Sequence, residues 1–206
     1  MGLTKYFVLV GFIIVSLGVI YGVPLINKKE VLTLHALSVS KGDAVLIESP
    51  SRTRVLIDAG DDRSILRALG EALPPWVRSL DAFIETADTR SAAGGEADVL
   101  SNYTVRTVLT QADIRRGTRL DFGGGTYADV LYPDRDTSKM NPKDGAVVLR
   151  VVYGTTSFLI KENLSPRADE WLSRIEGQSR PGEIVIASST PEGIEYVSDG
   201  STVKQK

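Results

Sequence analysis

The chain opens with one long apolar run and then changes to short, alternating apolar segments. Residues 6–26 read YFVLVGFIIVSLGVIYGVPLI, in which only small or weakly polar residues interrupt the apolar ones. At the rise of an α-helix this length crosses the hydrocarbon of a bilayer, which is about 30 Å thick. The pattern predicts one N-terminal transmembrane helix within residues 1–29, which acts as an anchor, and a separate domain over residues 30–206.

A cleaved signal peptide is the alternative interpretation of the first segment. Its apolar region spans about 7–15 residues and ends at a small-x-small cleavage site. Here the run is longer, and no Ala-x-Ala precedes Asn27, so an uncleaved anchor is favoured. Lys5 on one side and Lys28 and Lys29 on the other nearly balance, and the positive-inside rule therefore does not decide the orientation. We expect a single-pass membrane protein whose domain is extracytoplasmic.

After the apolar run, short β-rich segments dominate, with turn residues between them. The segment 64–73 (SILRALGEAL) has apolar residues at helical spacing, and Ser64 is the expected N-cap. Two more helices are predicted over 96–103 and 167–175. Many strands with a few helices between them predict sheets layered with helices, as an α/β or α+β sandwich, and α/β is the fold class favoured. Strands are predicted over 31–39, 44–48, 54–57, 80–84, 105–109, 119–122, 127–132, 146–153, 156–160, 183–187, 194–197 and 202–204.

Composition removes several classes of function. The chain has 24 Lys and Arg against 26 Asp and Glu, so no domain-wide basic field exists to hold nucleic acid. The absence of cysteine excludes disulfides, a thiolate zinc site and a cysteine nucleophile. His35 is the only histidine, whereas a two-metal hydrolase uses several imidazole ligands. His35 lies in the first predicted strand, where a packing or hydrogen-bonding role is expected.

Six segments, in their order and spacing, resemble the metallo-β-lactamase-fold domain of bacterial competence DNA-uptake proteins. The clearest is Val55–Gly60 (VLIDAG), which matches the end of a family strand. The resemblance implies a metallo-β-lactamase-like αββα sandwich in truncated form. The other segments are Leu37–Ile47, Ile65–Ile84, Gly117–Pro133, Ala146–Leu164 and Ile194–Val203.

The resemblance places the family's metal-binding motif, Thr-His-x-His-x-Asp-His-x-Gly-Gly, on Thr86–Gly95. In the family this motif holds two metal ions that convert a bridging water to hydroxide. Here the three histidines fall on Ala87, Thr89 and Ala92, and the aspartate falls on Ser91. Methyl groups and neutral hydroxyls are poor ligands for Zn²⁺. The motif is therefore degenerate at each of these positions.

The rest of the family's ligand set is also changed. The bridging aspartate falls on Asn163, whose neutral amide cannot balance two dications. For the late histidine segment two readings stay open: Ser188-Ser189 stands in its place, or the stretch is deleted, and the short chain favours deletion. No metal and no cofactor is expected.

Four polar residues remain near the degenerate site: Asp58, Asp88, Lys161 and Glu162. Asp58 is expected to cap the turn that follows it, and Asp43 to hold its own turn. Asp58, Asp88 and Glu162 would be the candidates for an oxygen-only Mg²⁺ or Ca²⁺ site. Asp88 and Glu162 do not fall on the family's ligand positions, and such a site is not expected.

The sequence thus predicts a membrane-anchored, catalytically inactive protein that serves as a binding or scaffolding module, without catalytic residues. Its partners would be the membrane, through the N-terminal helix, and a protein that the sequence does not identify. A role in competence and the binding of nucleic acid are suggested only by the family resemblance. An active metal-dependent hydrolase or nuclease with a rearranged metal site is the alternative, and a structural envelope protein is a third hypothesis.

Overall fold

The structure is a computed structural model, and it describes residues 30–176 and 180–206. The predicted anchor, residues 1–29, lies outside the described residues. Among the described residues, no helix has the length and apolar character needed to cross a membrane. Val31–Lys206 form one compact unit.

Seven strands of the described chain form a first, mixed sheet. They are β1 (Leu32–Ala36), β2 (Val45–Glu48), β3 (Arg54–Ile57), β4 (Ser79–Ile84), β5 (Thr104–Leu109), β11 (Ile194–Ser198) and β12 (Val203–Gln205). Their order is β12-β11-β1-β2-β3-β4-β5. Neighbours pair antiparallel from β12 to β3, and β3, β4 and β5 are parallel. The carboxyl ends of β3 and β4 therefore lie at the same edge of the sheet.

Five strands of the described chain form a second sheet. They are β6 (Arg119–Gly123), β7 (Thr126–Tyr132), β8 (Val148–Tyr153), β9 (Thr156–Ile160) and β10 (Ile184–Ile186). Their order is β10-β9-β8-β7-β6, with antiparallel pairs except for β9 and β10, which are parallel. Hairpins join β6 to β7 and β8 to β9. Their tight turns are permitted by glycines with positive φ, which are Gly123, Gly124 and Gly125 in the first turn and Gly154 in the second.

Helices cover the outer faces of both sheets. They are α1 (Ser64–Ala72), α2 (Arg90–Ala93), α3 (Glu96–Asn102) and α4 (Pro166–Glu176), with a 3₁₀ turn at Pro142–Asp144. On the first sheet, Ile65 of α1 and Val99 of α3 pack with Phe83. On the second sheet, Leu172 of α4 packs with Leu159.

The apolar faces of the two sheets meet in the main core. Leu34 and Ile57 of the first sheet and Leu149 and Phe158 of the second belong to one buried cluster. The layers thus follow the order helix, sheet, sheet, helix, which is the αββα sandwich that the sequence predicts. Burial of apolar side chains on both faces of β8 and β9 agrees with their nearly continuous apolar sequences.

A charged residue interrupts the buried strand β8. The Nε atom of Arg150 lies 2.7 Å from Oε1 of Glu183, just before β10, and the side chains are 6% and 0% exposed. The backbone N–H of Arg180 also donates to Glu183, with a distance of 3.1 Å to Oε2. An ion pair with this burial ties the edge strand β10 to the centre of the second sheet.

Two local predictions differ from the structure. Ser64 is the first residue of α1 and Arg63 is its N-cap, because Asp62 already accepts a hydrogen bond from the Ser64 amide at 2.9 Å. Helix α2 was not predicted. It is four residues long, too short to show a periodic apolar pattern, and it lies inside the segment that resembles the metal-binding motif.

Candidate functional site

Five loops meet at one end of the sandwich, beyond the carboxyl ends of β3, β4, β9 and β10. Backbone hydrogen bonds join them: Asp61 N donates to Lys41 O at 2.8 Å, and Gly95 N donates to Gly60 O at 3.1 Å. The loops are 41–43, 58–63, 86–95, 161–165 and 187–190. This is where the sequence resemblance places the family's metal site.

Asp58 is the centre of this end and is fully buried. Its Oδ1 accepts a hydrogen bond from Thr86 N at 2.8 Å. Its Oδ2 accepts from Thr86 Oγ1 at 2.6 Å and from Asn163 Nδ2 at 3.0 Å. The prediction that Asp58 caps the following turn is therefore wrong, because its side chain points across to two other loops.

The hydrogen bonds continue from Asn163 in two directions. Its Oδ1 accepts from Ser91 Oγ at 2.7 Å, and Ser91 Oγ lies 3.0 Å from Thr89 Oγ1. Its backbone N donates to Ser188 Oγ at 3.2 Å, and Ser188 Oγ donates to Asp43 Oδ2 at 2.7 Å. We call the seven residues the hydroxyl–amide network: Asp43, Asp58, Thr86, Thr89, Ser91, Asn163 and Ser188.

Two predictions about this end change as a result. Asp43 binds Ser188 with its carboxylate, so the idea that it only holds its own turn is wrong. For the late family segment, Ser188 lies at this end of the sandwich, where the first interpretation, that Ser188-Ser189 stands in its place, would put it. The sequence offered Ser188 only as a stand-in for that segment and did not predict its contacts with Asn163 and Asp43, because serines in a loop carry no specific pattern.

The remaining degenerate positions form an apolar corner. Ala87, Ala92 and Ala146 are fully buried and pack together, with Leu164 against them. Thus the structure separates the predicted positions into two groups. Thr89, Ser91 and Asn163 share hydrogen bonds, whereas Ala87 and Ala92 share methyl contacts.

Close packing explains why the motif has glycine at positions 94 and 95. A Cβ atom built on Gly94 would lie 2.3 Å from Asp61 O, and one built on Gly95 would lie 2.4 Å from Ala59 O. No side chain fits at such distances, so the loop 86–95 approaches the loop 58–63 through glycine. This contact holds Thr86 and Ser91 in reach of Asp58 and Asn163.

Two of the other polar residues predicted near the site do not join the network. Asp88 is exposed, and its backbone N–H donates to Gln111. The ammonium of Lys161 lies 2.8 Å from Asp169 Oδ1, on α4. His35 lies on β1, half-buried, and burial lowers its pKa. None of these side chains is aimed at Asp58.

Glu162 is different, because it is buried without a hydrogen-bond partner on Oε2 among the described residues. Burial, together with the charges of Asp58 and Asp43, raises the pKa of Glu162 well above its ordinary value. Burial also raises the pKa of Asp58 to about 8, against the opposing effect of hydrogen bonds from Thr86 and Asn163. Three carboxyl groups, those of Asp43, Asp58 and Glu162, thus share one end, and burial raises the pKa of each.

These residues do not fit a dication. Within residues 30–176 and 180–206, no three His, Asp or Glu side chains are grouped so that they could hold a metal ion. Both oxygens of Asp58 already face N–H or O–H donors. The oxygen-only site considered for Asp58, Asp88 and Glu162 does not form, since Asp88 is exposed and does not converge with the other two.

A first prediction concerns the pH dependence of stability. The folded pKa of Glu162 is raised, so its protonated form favours the folded state, and stability falls as the pH rises above about 4.5. The free energy of unfolding of Glu162→Gln, relative to that of the wild type, should therefore increase as the pH goes from about 5 to about 8. Chemical denaturation at several pH values measures this difference. A constant difference across that range would contradict it, and exposed Glu71→Gln is the control, for which no such trend is expected.

Comparison with known proteins gives the fold class. Solved metallo-β-lactamases share the fold of the described domain, which therefore has the metallo-β-lactamase fold. An enzyme with a "HARLDQ motif" from Cronobacter sakazakii matches with a TM-score of 0.53 and 16% identity, over 73% of each chain. The Rm3 metallo-β-lactamase matches with a TM-score of 0.52 and 14% identity, over 75% of this chain and 74% of that one.

A third example is MEM-A1, a subclass B3 metallo-β-lactamase isolated from a soil metagenome library. It matches with a TM-score of 0.52 and 13% identity, over 75% of this chain and 76% of that one. At such identities the likeness concerns the fold alone. No family model matches the sequence. No curated protein matches it either.

Proposed function

We propose that this protein is a catalytically inactive member of the metallo-β-lactamase fold that acts as a binding or scaffolding module. The observation that carries the proposal is the hydroxyl–amide network at the loop end of the sandwich. Its donors and acceptors satisfy one another where metal ligands would otherwise converge.

Hydrolysis in this fold depends on a metal ion that lowers the pKa of a bound water. A dication needs ionised or neutral lone-pair donors facing an open point. Here Asp58 Oδ2 receives two hydrogen bonds, and Asn163 directs its NH₂ group toward that carboxylate. Ala87 and Ala92 offer no ligand atom. The arrangement supports a structural use of this end rather than water activation.

The setting of the module is part of the proposal. The apolar run at residues 6–26 supports a single-pass membrane anchor, with the domain on the extracytoplasmic side. A protein partner would use the outer surfaces of the sandwich. A role beside DNA uptake is supported only by the sequence resemblance, and fold kinship by itself is a weak argument for function.

A second prediction tests inactivity by metal content. The full chain, purified in mild detergent and passed through gel filtration, should carry substoichiometric zinc, manganese and iron in elemental analysis. Its melting temperature should be unchanged by EDTA, because a ligand that binds the folded state would otherwise add stability. The same preparation should hydrolyse neither a chromogenic β-lactam nor DNA with Mn²⁺ present.

Stoichiometric retained metal, with a lower melting temperature after chelation, would overturn the proposal. It would favour the alternative of a hydrolase with a rearranged site. The variant Ser188→Ala then separates two explanations. Loss of the metal in this variant would place the metal at the network, and retention would place it elsewhere.

A further inference from the structure

A recess of about 420 Å³ opens on the second sheet, away from the network residues. It lies between the end of β7, the segment that leads to the 3₁₀ turn, and the first turns of α4. Ligand pockets in proteins commonly have volumes of about 300–1,000 Å³. The recess is therefore large enough for a small organic molecule.

Two aromatic rings form one wall of the recess. The ring centroids of Tyr132 and Trp171 are 5.1 Å apart, with an angle of 54° between the ring planes. Tyr132 is buried, and its hydroxyl donates to the carbonyl of Asp144, which fixes the ring. Trp171 is only partly covered. A planar group can pack on the open part of Trp171, whose ring is held by its contact with Tyr132.

Three cationic side chains line the same recess: Arg135, Lys139 and Arg167. Arg135 is held by Asp134, with Nε and Nη2 at 2.8 and 3.0 Å from the two carboxylate oxygens. In the described part of the chain, Lys139 and Arg167 have no carboxylate within ion-pair distance. An uncompensated ammonium and guanidinium beside one cavity attract an anion.

The acidic groups nearby do not cancel this charge. Asp144 lines the recess, but its Oδ1 accepts a hydrogen bond from the hydroxyl of Ser165. Among the described residues that line the recess, Asp144 is the one carboxylate against three cations, and Asp134 pairs with Arg135. Ser165 also accepts a hydrogen bond from Ala168 N at the start of α4, so the wall that carries Arg167 is fixed.

We propose that this recess binds a small ligand that combines a planar ring with a phosphate group, in the manner of a nucleoside monophosphate. The ring would pack on Trp171, which Tyr132 holds in place, since aromatic faces stack on any base. The phosphate would lie between Lys139 and Arg167, because a guanidinium offers paired donors to phosphate oxygens and an ammonium adds a point charge. No residue of the hydroxyl–amide network takes part, so the proposal stands independently of the loss of catalysis.

The test is a fluorescence titration with AMP. The full chain in mild detergent carries two tryptophans, and Trp76 is 82% exposed. The background variant Trp76→Phe leaves Trp171 as the reporter. AMP should change the Trp171 emission to saturation. Adenosine and ribose 5-phosphate should each bind at least about tenfold more weakly, because each lacks half of the recognised chemistry.

Two substitutions decide the role of the cations. In the same background, Lys139→Ala and Arg167→Ala should each weaken AMP binding by about tenfold or more, and raised salt should weaken it as well. Arg174→Ala is the matched control, since Arg174 lies on the same helix, exposed and paired with Glu170, and should leave binding unchanged. No saturable response to AMP, equal binding of adenosine, or unchanged binding in both variants would overturn the proposal.

Discussion

Replacing Asp58 with alanine should lower the free energy of unfolding by about 3 kcal/mol. The substitution leaves the amide and hydroxyl of Thr86 and the amide of Asn163 without their acceptor, in a fully buried place. Alanine is also less tolerant than aspartate of the left-handed backbone at this position, where φ is 56°. Chemical denaturation of the full chain in mild detergent measures the loss.

Asp58→Asn is the informative control. Asparagine adopts left-handed backbone readily and keeps a carbonyl oxygen for the Thr86 amide. Burial raises the pKa of Asp58 to about 8, so a full charge is costly at this position, and asparagine carries none. The loss with asparagine should be less than half of the loss with alanine. Equal losses for the two variants would show that the carboxyl group does not organise the network by its hydrogen bonds.

Arg150→Met should also be strongly destabilising, by about 3 kcal/mol at neutral pH. It removes the guanidinium from a carboxylate, Glu183, whose side chain is fully buried. Burial alone would raise the pKa of Glu183, but the hydrogen bond and charge of Arg150 outweigh it and hold the pKa below its ordinary value. The pair therefore stabilises the fold above about pH 4.5, and this contribution is lost as the pH falls through the folded pKa.

A double variant tests whether the loss can be reversed, and an exposed ion pair serves as the control. Adding Glu183→Leu to Arg150→Met should recover most of the loss, because apolar side chains of similar volume can replace a buried ion pair at little net cost. Arg174→Met, which breaks an exposed ion pair with Glu170, should cost less than about 0.5 kcal/mol. Equal losses for the buried and the exposed arginine would contradict the role assigned to Arg150. So would a double variant no more stable than Arg150→Met alone.

Much of the fold could be predicted because its signals are local. The β6–β7 and β8–β9 hairpins are marked by glycines in the turns between apolar strands. Helix α1 is marked by the spacing of Ile65 and Leu69, both of which are buried. The segments whose structure could not be predicted are those in which tertiary contacts determine the conformation. Helix α2 has a single turn, and it packs through Ala92, a residue with little signal of its own.

The candidate site also has features that the sequence predicted and features that it did not. The sequence resemblance pointed to Thr89, Ser91 and Asn163, and the structure places their side chains in hydrogen-bond contact. It did not predict that Asn163 would donate to Asp58, 105 residues earlier in the chain. Such a bond depends on how the two sheets face each other. Nor did the sequence predict the buried carboxyl of Glu162, because β9 is buried on both faces, ends before this residue, and gives no local signal for its direction.

The alanine corner has a consequence for protein engineering. Ala87, Ala92 and Ala146 touch one another with no exposed surface, and close-packed interiors resist added volume. An imidazole at position 87 or 92 would force its neighbours apart, and this strain would destabilise the fold unless metal binding offset it. A designer who wishes to build a zinc enzyme on this scaffold must therefore enlarge the corner first, at Leu164 and Ala146, and only then install the ligands as one set.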